Sequence, residues 1–274
     1  MPIVTIYRGA FTAGEEIANG VARALGYRCV SRKVLIEASR SYGISEAKLN
    51  EVLEKDAHWW ERWLQNMRPY RVALQAAMCE VAREGNIVYH GHIGHELLPR
   101  IRHVLKVMLT APLEFRIQQV QSQHGLDEAR ARGYLDHVDE ARTRRLVALF
   151  GTDWRDITRY DLALNVAQLG IEGVTRVIVE AARLERYQPT AASEQDFKNL
   201  VLASRVQAAL ATSAQFRDLG VTLRAENGEV HVLGACARSV SEEELVRVIK
   251  SVAGVTKVVT DCFPADLGEG LPLM

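Results

Sequence analysis

Gly9-Ala10-Phe11-Thr12-Ala13-Gly14-Glu15-Glu16 follows the β-prone run Val4-Thr5-Ile6-Tyr7-Arg8 and precedes Ile17, Val21, Ala22 and Leu25 at helical spacing. A short strand, a Gly-x-x-x-x-Gly loop and an amphipathic helix form the pattern of a phosphate-binding loop, in which backbone N–H groups at a helix N-terminus attract an anion. Such a loop carries Lys and then Ser or Thr after its second glycine, whereas this chain has Glu15 and Glu16. A Lys ammonium at ~4 Å from a phosphate oxygen is worth about 4 kcal/mol at an effective dielectric near 20, and a carboxylate repels by a similar amount. Arg8, directly before the loop, is the replacement cation the sequence offers. The plainer reading makes Gly9 and Gly14 ordinary turn glycines before a helix.

The 274 residues and 48% hydrophobic content suit one large domain or a medium and a small one. Net charge is zero, which points away from nucleic acid as a partner. Cys29, Cys79, Cys236 and Cys262 form no C-x-x-C, so they read as free thiols. The N-terminus enters a strand without a basic leader and no 18-residue apolar run follows, so a soluble, cytoplasmic protein is expected.

Residues 86–89, 104–110 and 162–166 read as further buried strands, each separated by long helical patterns. The expected class is therefore α/β, a parallel sheet with helices on both faces and an unusually helical middle. Within that middle, a helix starting at residues 45–48 and another over 70–84 flank His58-Trp59-Trp60-Glu61-Arg62-Trp63. Trp59 and Trp63 at i, i+4 favour helix packing over base stacking, while Trp60 points elsewhere and makes a homodimer plausible. Polar residues and Pro189 make 188–195 the best linker. Beyond it a helix over 197–211, strands over 220–225 and 229–233 around Asn227-Gly228, a helix over 241–252 and a strand over 255–262 form an αββαβ unit.

Over about residues 3–184 the chain resembles the cytidylate-kinase-like proteins. The resemblance rests on Val4-Thr5-Ile6-Tyr7-Arg8 with the glycine loop and Glu16-Ile17, on Ala111-Pro112-Leu113-Glu114-Phe115-Arg116-Ile117, and on Asp153-Trp154 followed by Tyr160-Asp161-Leu162-Ala163-Leu164-Asn165. It implies a P-loop fold with a helical arm and, in active members, phosphoryl transfer from ATP to a nucleoside monophosphate with Mg²⁺. The tail resembles a BON domain through Asn227-Gly228-Glu229-Val230-His231-Val232-Leu233-Gly234 and Gly254-Val255-Thr256-Lys257-Val258-Val259. That module implies attachment to a protein or membrane-associated partner, although 8 Lys or Arg against 10 Asp or Glu over residues 196–274 give no basic cluster for anionic lipid. The implied domains are 1–187 kinase-like, 188–195 linker, 196–264 BON and 265–274 tail.

Where the resemblance leads to charged residues, this chain departs from it. Glu15 replaces a phosphate-binding Arg or Lys, Ser31 before Arg32 replaces an Asp, and His92 in Gly91-His92-Ile93-Gly94 replaces an Arg. Other parts remain: Arg116, and Asp139, Arg142, Arg144 and Arg145 on a helix resembling the kinase lid, with Arg142 and Arg145 sharing a face. The competing reading is a solvated helix paired through Asp136, Asp139 and Glu140. Arg8, Gly9, Thr12, Ala13, Gly14, Glu15 and Glu16 are the candidate nucleotide contacts, and Ser31, Arg32, His92 and Asp161 the substrate-side ones. His90-x-His92-x-x-His95 admits a metal reading, but a polar strand end accounts for it better, and no metal is assigned. The expectation is a weak or inactive kinase that binds a nucleotide or similar anion and acts as a sensor or interaction module. An active CMP-type kinase, using ATP and a Mg²⁺ held mostly by phosphate and water, is one alternative. A nucleotide-independent scaffold is the other.

Overall fold

The computed structural model describes residues 2–45, 47, 49, 67–213, 215, 216, 219–236 and 241–264. The aromatic segment with Trp59, Trp60 and Trp63, and the tail 265–274, lie outside these residues. Five parallel strands form the main sheet: β1 (Ile3–Arg8), β2 (Arg28–Ser31), β3 (Ile87–Gly91), β4 (Val104–Thr110) and β5 (Leu162–Asn165), in the order β2-β3-β1-β4-β5. The α/β class and the parallel sheet read from the sequence are those observed. β1 lies between β3 and β4, with Tyr7 opposite Gly91 and Met108. The chain thus changes direction across the sheet at β1, and the carboxyl ends of β1, β3 and β4 open onto the crevice where α/β sheets place their ligands.

Alternation along β1 assigns the two faces, since successive strand residues point to opposite sides. Val4 and Ile6 pack with Ile17 and Val21 of α1 (Gly14–Leu25) and with Val174 and Ile178 of α7 (Val166–Arg183). Ile3 belongs to the opposite core, with Leu35 of α2 (Arg32–Ala38), Leu74 and Met78 of α3 (Arg68–Arg83), and Leu97 of the short α4 (Gly94–Leu97). Two further helices, α5 (Leu113–His124) and α6 (Glu128–Phe150), form a hairpin that packs on the loop after β1 through Ile117, Val120, Ala131 and Leu135.

The last elements are α8 (Ala191–Thr212), β6 (Val221–Glu226), β7 (Glu229–Cys236), α9 (Glu242–Lys250) and β8 (Lys257–Pro264). They give the αββαβ order expected. β6 and β7 are antiparallel and β7 and β8 parallel. Asn227 and Gly228, at φ 50° and 88°, form the two-residue hairpin turn that needs left-handed backbone at both positions. Val206, Leu210, Leu223, Val230, Val232, Leu245 and Ile249 make a separate small core.

Helix α8 begins at Ala191, within the segment read as a linker and six residues before the expected start at 197. The cause is a capping box: the Thr190 hydroxyl accepts from Ser193 N and the Ser193 hydroxyl accepts from Thr190 N. Serine at the third position replaces the usual Glu or Gln of this motif, which hides it in sequence. Phe197 and Val201 of α8 enter the large core while Leu202, Val206 and Leu210 enter the small one, so one helix serves both. No helix among the described residues is long and apolar enough to cross a membrane.

Candidate functional site

The loop after β1 turns sharply at the carboxyl edge of the sheet. Gly9 N donates to Leu109 O at 3.0 Å, and a Cβ on Gly9 would stand 2.5 Å from that oxygen, so only glycine fits. The buried Thr12 hydroxyl donates to Gly9 O at 2.9 Å and closes the loop on itself. Phe11 and Ala13 hold positive φ, 57° and 51°, a conformation that non-glycine residues adopt at a cost. Ala13 precedes α1 with no side-chain cap, so the first-turn N–H groups of α1 are left for another acceptor. Beside them is a cavity of about 1010 Å³, lined by Arg8, the loop, Glu15, Glu16, Tyr134 and Arg142 among others.

Electrostatically the loop is controlled by Arg8. Its aliphatic stem lies across Gly14, where a Cβ would meet Arg8 Cγ at 2.6 Å. Its Nη1 is 3.7 Å from Glu15 Oε2, and its Nε is buried without a hydrogen-bond partner. Burial lowers the Arg8 pKa, and Glu15 offsets part of that effect. Glu16 also lines the cavity, so two carboxylates in the first turn of α1 face the place where an anion would be received.

The arginines of the hairpin reach the loop, yet they grip its backbone. Arg116 Nε donates to Ala10 O at 3.0 Å, and its Nη2 donates to both oxygens of Asp139 at 2.9 and 2.8 Å. Arg142 Nη1 donates to Arg8 O at 3.0 Å, and burial lowers the pKa of this guanidinium. Asp139 therefore serves to orient Arg116. Arg144 pairs with Glu140 on the exposed side of α6.

Behind the loop, Arg145 is buried, and the fields of Arg142, Arg8, Arg145 and Arg32 all act on His92. Burial first, and then these four cations, hold the His92 pKa well below its ordinary value, so the ring is neutral at pH 7. Ser31 ends β2 opposite His90, and Arg32 begins α2, which brings both to the same edge. Buried atoms without hydrogen-bond partners gather here: Tyr7 Oη, Arg8 Nε, Tyr89 Oη, His90 Nδ1, His92 Nε2 and His95 Nδ1. Orphaned polar groups cost about 1–3 kcal/mol each, so such a concentration marks a functional region.

The three histidines do separate jobs. His90 lies on β3 and is pushed down to about 4, chiefly by burial. His92 meets the Tyr7 ring edge-on, and His95 Nε2 contacts Tyr160 Oη at 3.2 Å. Among the described residues, no group of three or more His, Cys, Asp or Glu is placed to hold a metal ion.

Asp161, expected on the substrate side, lies elsewhere. It precedes β5, donates its backbone N–H to Lys106 O and accepts from Lys106 N through Oδ2, both at 2.8 Å, so it extends the sheet ladder. A residue at the start of a parallel strand cannot stand at the carboxyl edge where the loop lies. Other contacts went unread in the sequence. Phe11 meets His124 and Tyr134 edge-on, which pins the loop to the hairpin. Trp154 stacks on Tyr7 with ring centroids 5.4 Å apart. Glu96 accepts from Arg159 Nε and Nη2 at 2.7 and 2.6 Å, which anchors the segment before β5. These are pairings between distant segments, which no local pattern encodes.

A sequence profile of the Cytidylate kinase-like family matches residues 3–168. A cytidylate kinase of Ignicoccus hospitalis is 30% identical over 179 residues, covering 65% of this chain and 97% of that protein. A cytidylate kinase of Staphylothermus marinus is 24% identical over 180 residues, covering 65% and 95%. An uncharacterized protein from Eubacterium ventriosum, known as a crystal structure, superposes with a TM-score of 0.52 at 16% identity, covering 66% of this chain and 97% of its own, and so shares the fold. The profile spans more than half of the chain, over the very strands and loop described above: this protein belongs to the cytidylate kinase-like family.

Proposed function

We propose that the protein binds a nucleotide or a similar phosphate-bearing anion over the loop 9–14 and transfers phosphoryl groups weakly or not at all. The observation that carries this reading is Glu15, paired with Arg8 in the first turn of α1. The loop fits phosphate in part: it has an uncapped helix N-terminus, a buried and unpartnered Arg8 Nε and a cavity of nucleotide size. It fits a metal poorly, because Ser31 supplies no carboxylate and, among the described residues, no group of three or more His, Cys, Asp or Glu is placed to hold one. Magnesium would enter with the phosphates and supply charge neutralisation there. For the acceptor, the cations around His92 favour a monophosphate, and the cytidylate kinases among its relatives make CMP the first to try. A coupled assay with ATP, Mg²⁺ and a panel of monophosphates tests this. Turnover well below 1 s⁻¹ is expected, whereas turnover on the order of 1 s⁻¹ or faster, usual for kinases, rejects it.

The αββαβ unit from α8 to β8 is, on this reading, a BON module that joins the nucleotide-binding half to a protein partner, so the whole acts as a sensor. Support comes from its element order and the Asn227-Gly228 hairpin. Its lack of a basic cluster argues against anionic lipid as the partner. Co-sedimentation of the full chain with phosphatidylserine vesicles should recover no protein in the pellet; recovery there would replace the protein partner with a membrane.

A further inference from the structure

A second cavity, of about 670 Å³, opens toward the amino-terminal ends of β4 and β5, at the opposite end of the sheet from the loop. Its wall carries Arg100, Arg102, Lys106, Arg159 and Arg186 against only Glu96 and Asp161, a balance of +3 in a chain whose net charge is zero. Both carboxylates are already committed. Glu96 takes the Arg159 fork, and Asp161 Oδ2 takes the Lys106 backbone N–H. His95, pushed down to about 4 chiefly by burial, adds no charge at neutral pH.

Two of the remaining cations are held in place without being neutralised. Arg102 Nη1 donates to Gln188 O at 3.1 Å and Arg186 Nη1 donates to Arg102 O at 2.9 Å, so neutral carbonyls fix two guanidiniums and leave their charge intact. Lys106 is the more telling residue. It sits in the middle of β4, between the buried Val104 and Met108 on the same face, in a strand whose class is normally apolar throughout. Among the described residues its ammonium makes no hydrogen bond and no direct ion pair; burial lowers its pKa, and the fields of Glu96 and Asp161 offset only part of that. A half-buried ammonium with no carboxylate in direct contact is costly, and a bound anion would compensate it.

We propose that this cavity is a second anion site, which takes a small molecule bearing a chain of two or three phosphoryl groups. The charge balance calls for a multivalent anion, the guanidinium forks match phosphate oxygens, and the volume lies in the range of small-molecule pockets. The half-buried Lys106 supplies a point charge, and the half-buried Arg102 with the exposed Arg100 and Arg186 supply guanidiniums to the same cavity. Inorganic tripolyphosphate carries this chemistry alone, and ATP carries it with a base and sugar.

Titration calorimetry of the full chain with tripolyphosphate, ATP and citrate at low ionic strength tests the site, with Arg8→Gln, Lys106→Met and the double variant Arg100→Gln/Arg186→Gln beside the natural protein. Tripolyphosphate binding should persist in Arg8→Gln and weaken at least tenfold in the other two. Met matches the length of Lys and removes a desolvated charge, and the double variant changes only exposed residues, so at least one of the two remains folded by circular dichroism. ATP binding that follows the same pattern names a nucleotide as occupant; tripolyphosphate binding alone names the free polyphosphate. The proposal is overturned by unchanged tripolyphosphate affinity in Lys106→Met and the double variant, by loss in Arg8→Gln alone, by tighter binding of citrate, or by no binding to the natural protein at millimolar tripolyphosphate.

Discussion

Arg8 Nη1 lies 3.7 Å from Glu15 Oε2 at the mouth of the loop, with the Arg8 stem resting on Gly14. Arg8, the cation directly before the loop in the chain, is thereby paired with the carboxylate at the sequence position of the phosphate-loop lysine. Glu15 is 69% exposed, and exposed pairs of this kind contribute about 0–1 kcal/mol, so the contact is a local redirection of charge and not a structural brace. The brace is supplied elsewhere, by Arg116 and Arg142 on the carbonyls of Ala10 and Arg8.

Arg116→Met should release the loop and leave the Asp139 carboxylate without its guanidinium. Breaking a largely sheltered pair costs about 2–4 kcal/mol, and for a chain of this size each kcal/mol lowers the unfolding midpoint by roughly 2–4 °C. Arg116→Lys should recover only part of the loss, because a point charge cannot reproduce the fork that reaches Ala10 and Asp139 together. Thermal unfolding followed by circular dichroism distinguishes this from an idle surface pair, for which both variants would melt with the natural protein.

Acid should destabilise the fold before its carboxylates titrate. His90 and His95 are both pushed down to about 4 by burial, so the unfolded chain, with histidine near 6.5, binds more protons than the folded one between those values. Their contribution is fully present above pH 6.5 and is lost as pH falls toward 4, on the order of a few kcal/mol in all. Urea unfolding at pH 7.0, 5.5 and 4.5 reads the slope. His95→Gln should flatten it, and a slope unchanged by that substitution would assign the acid sensitivity to other groups.

Ser193→Ala should cost about 1–3 kcal/mol, more than an ordinary cap. Its hydroxyl is part of the α8 capping box and also bonds His103 Nδ1 at 2.9 Å, immediately before β4. Denaturant unfolding measures the loss, and a change below about 0.5 kcal/mol would show that this joint carries no load.

The sheet was legible because its strands obey local rules. Residues 104–110 form an apolar run broken once, and β4 has those bounds. Asn227-Gly228 announced its hairpin for the same reason, since few residue pairs tolerate left-handed backbone twice. Within the site, the sequence named the loop, Arg116, Arg142 and Asp139 and left open whether the arginines face a phosphate. Their contacts to Ala10 O and Arg8 O depend on how two distant segments meet, which residue types do not encode. Lys106 shows the same limit in reverse: a lone lysine in a strand pattern reads as a solvent-facing residue until the neighbouring arginines are placed around it.

Calorimetry with ATP on the natural protein and on Glu15→Lys measures the effect of the inverted charge directly. Weak binding should strengthen at least tenfold in Glu15→Lys, the equivalent of about 1.4 kcal/mol, because a repulsive carboxylate gives way to a cation and Arg8 is freed at the same step. Tight ATP binding by the natural protein that Glu15→Lys leaves unchanged would contradict the reading of the loop as charge-inverted.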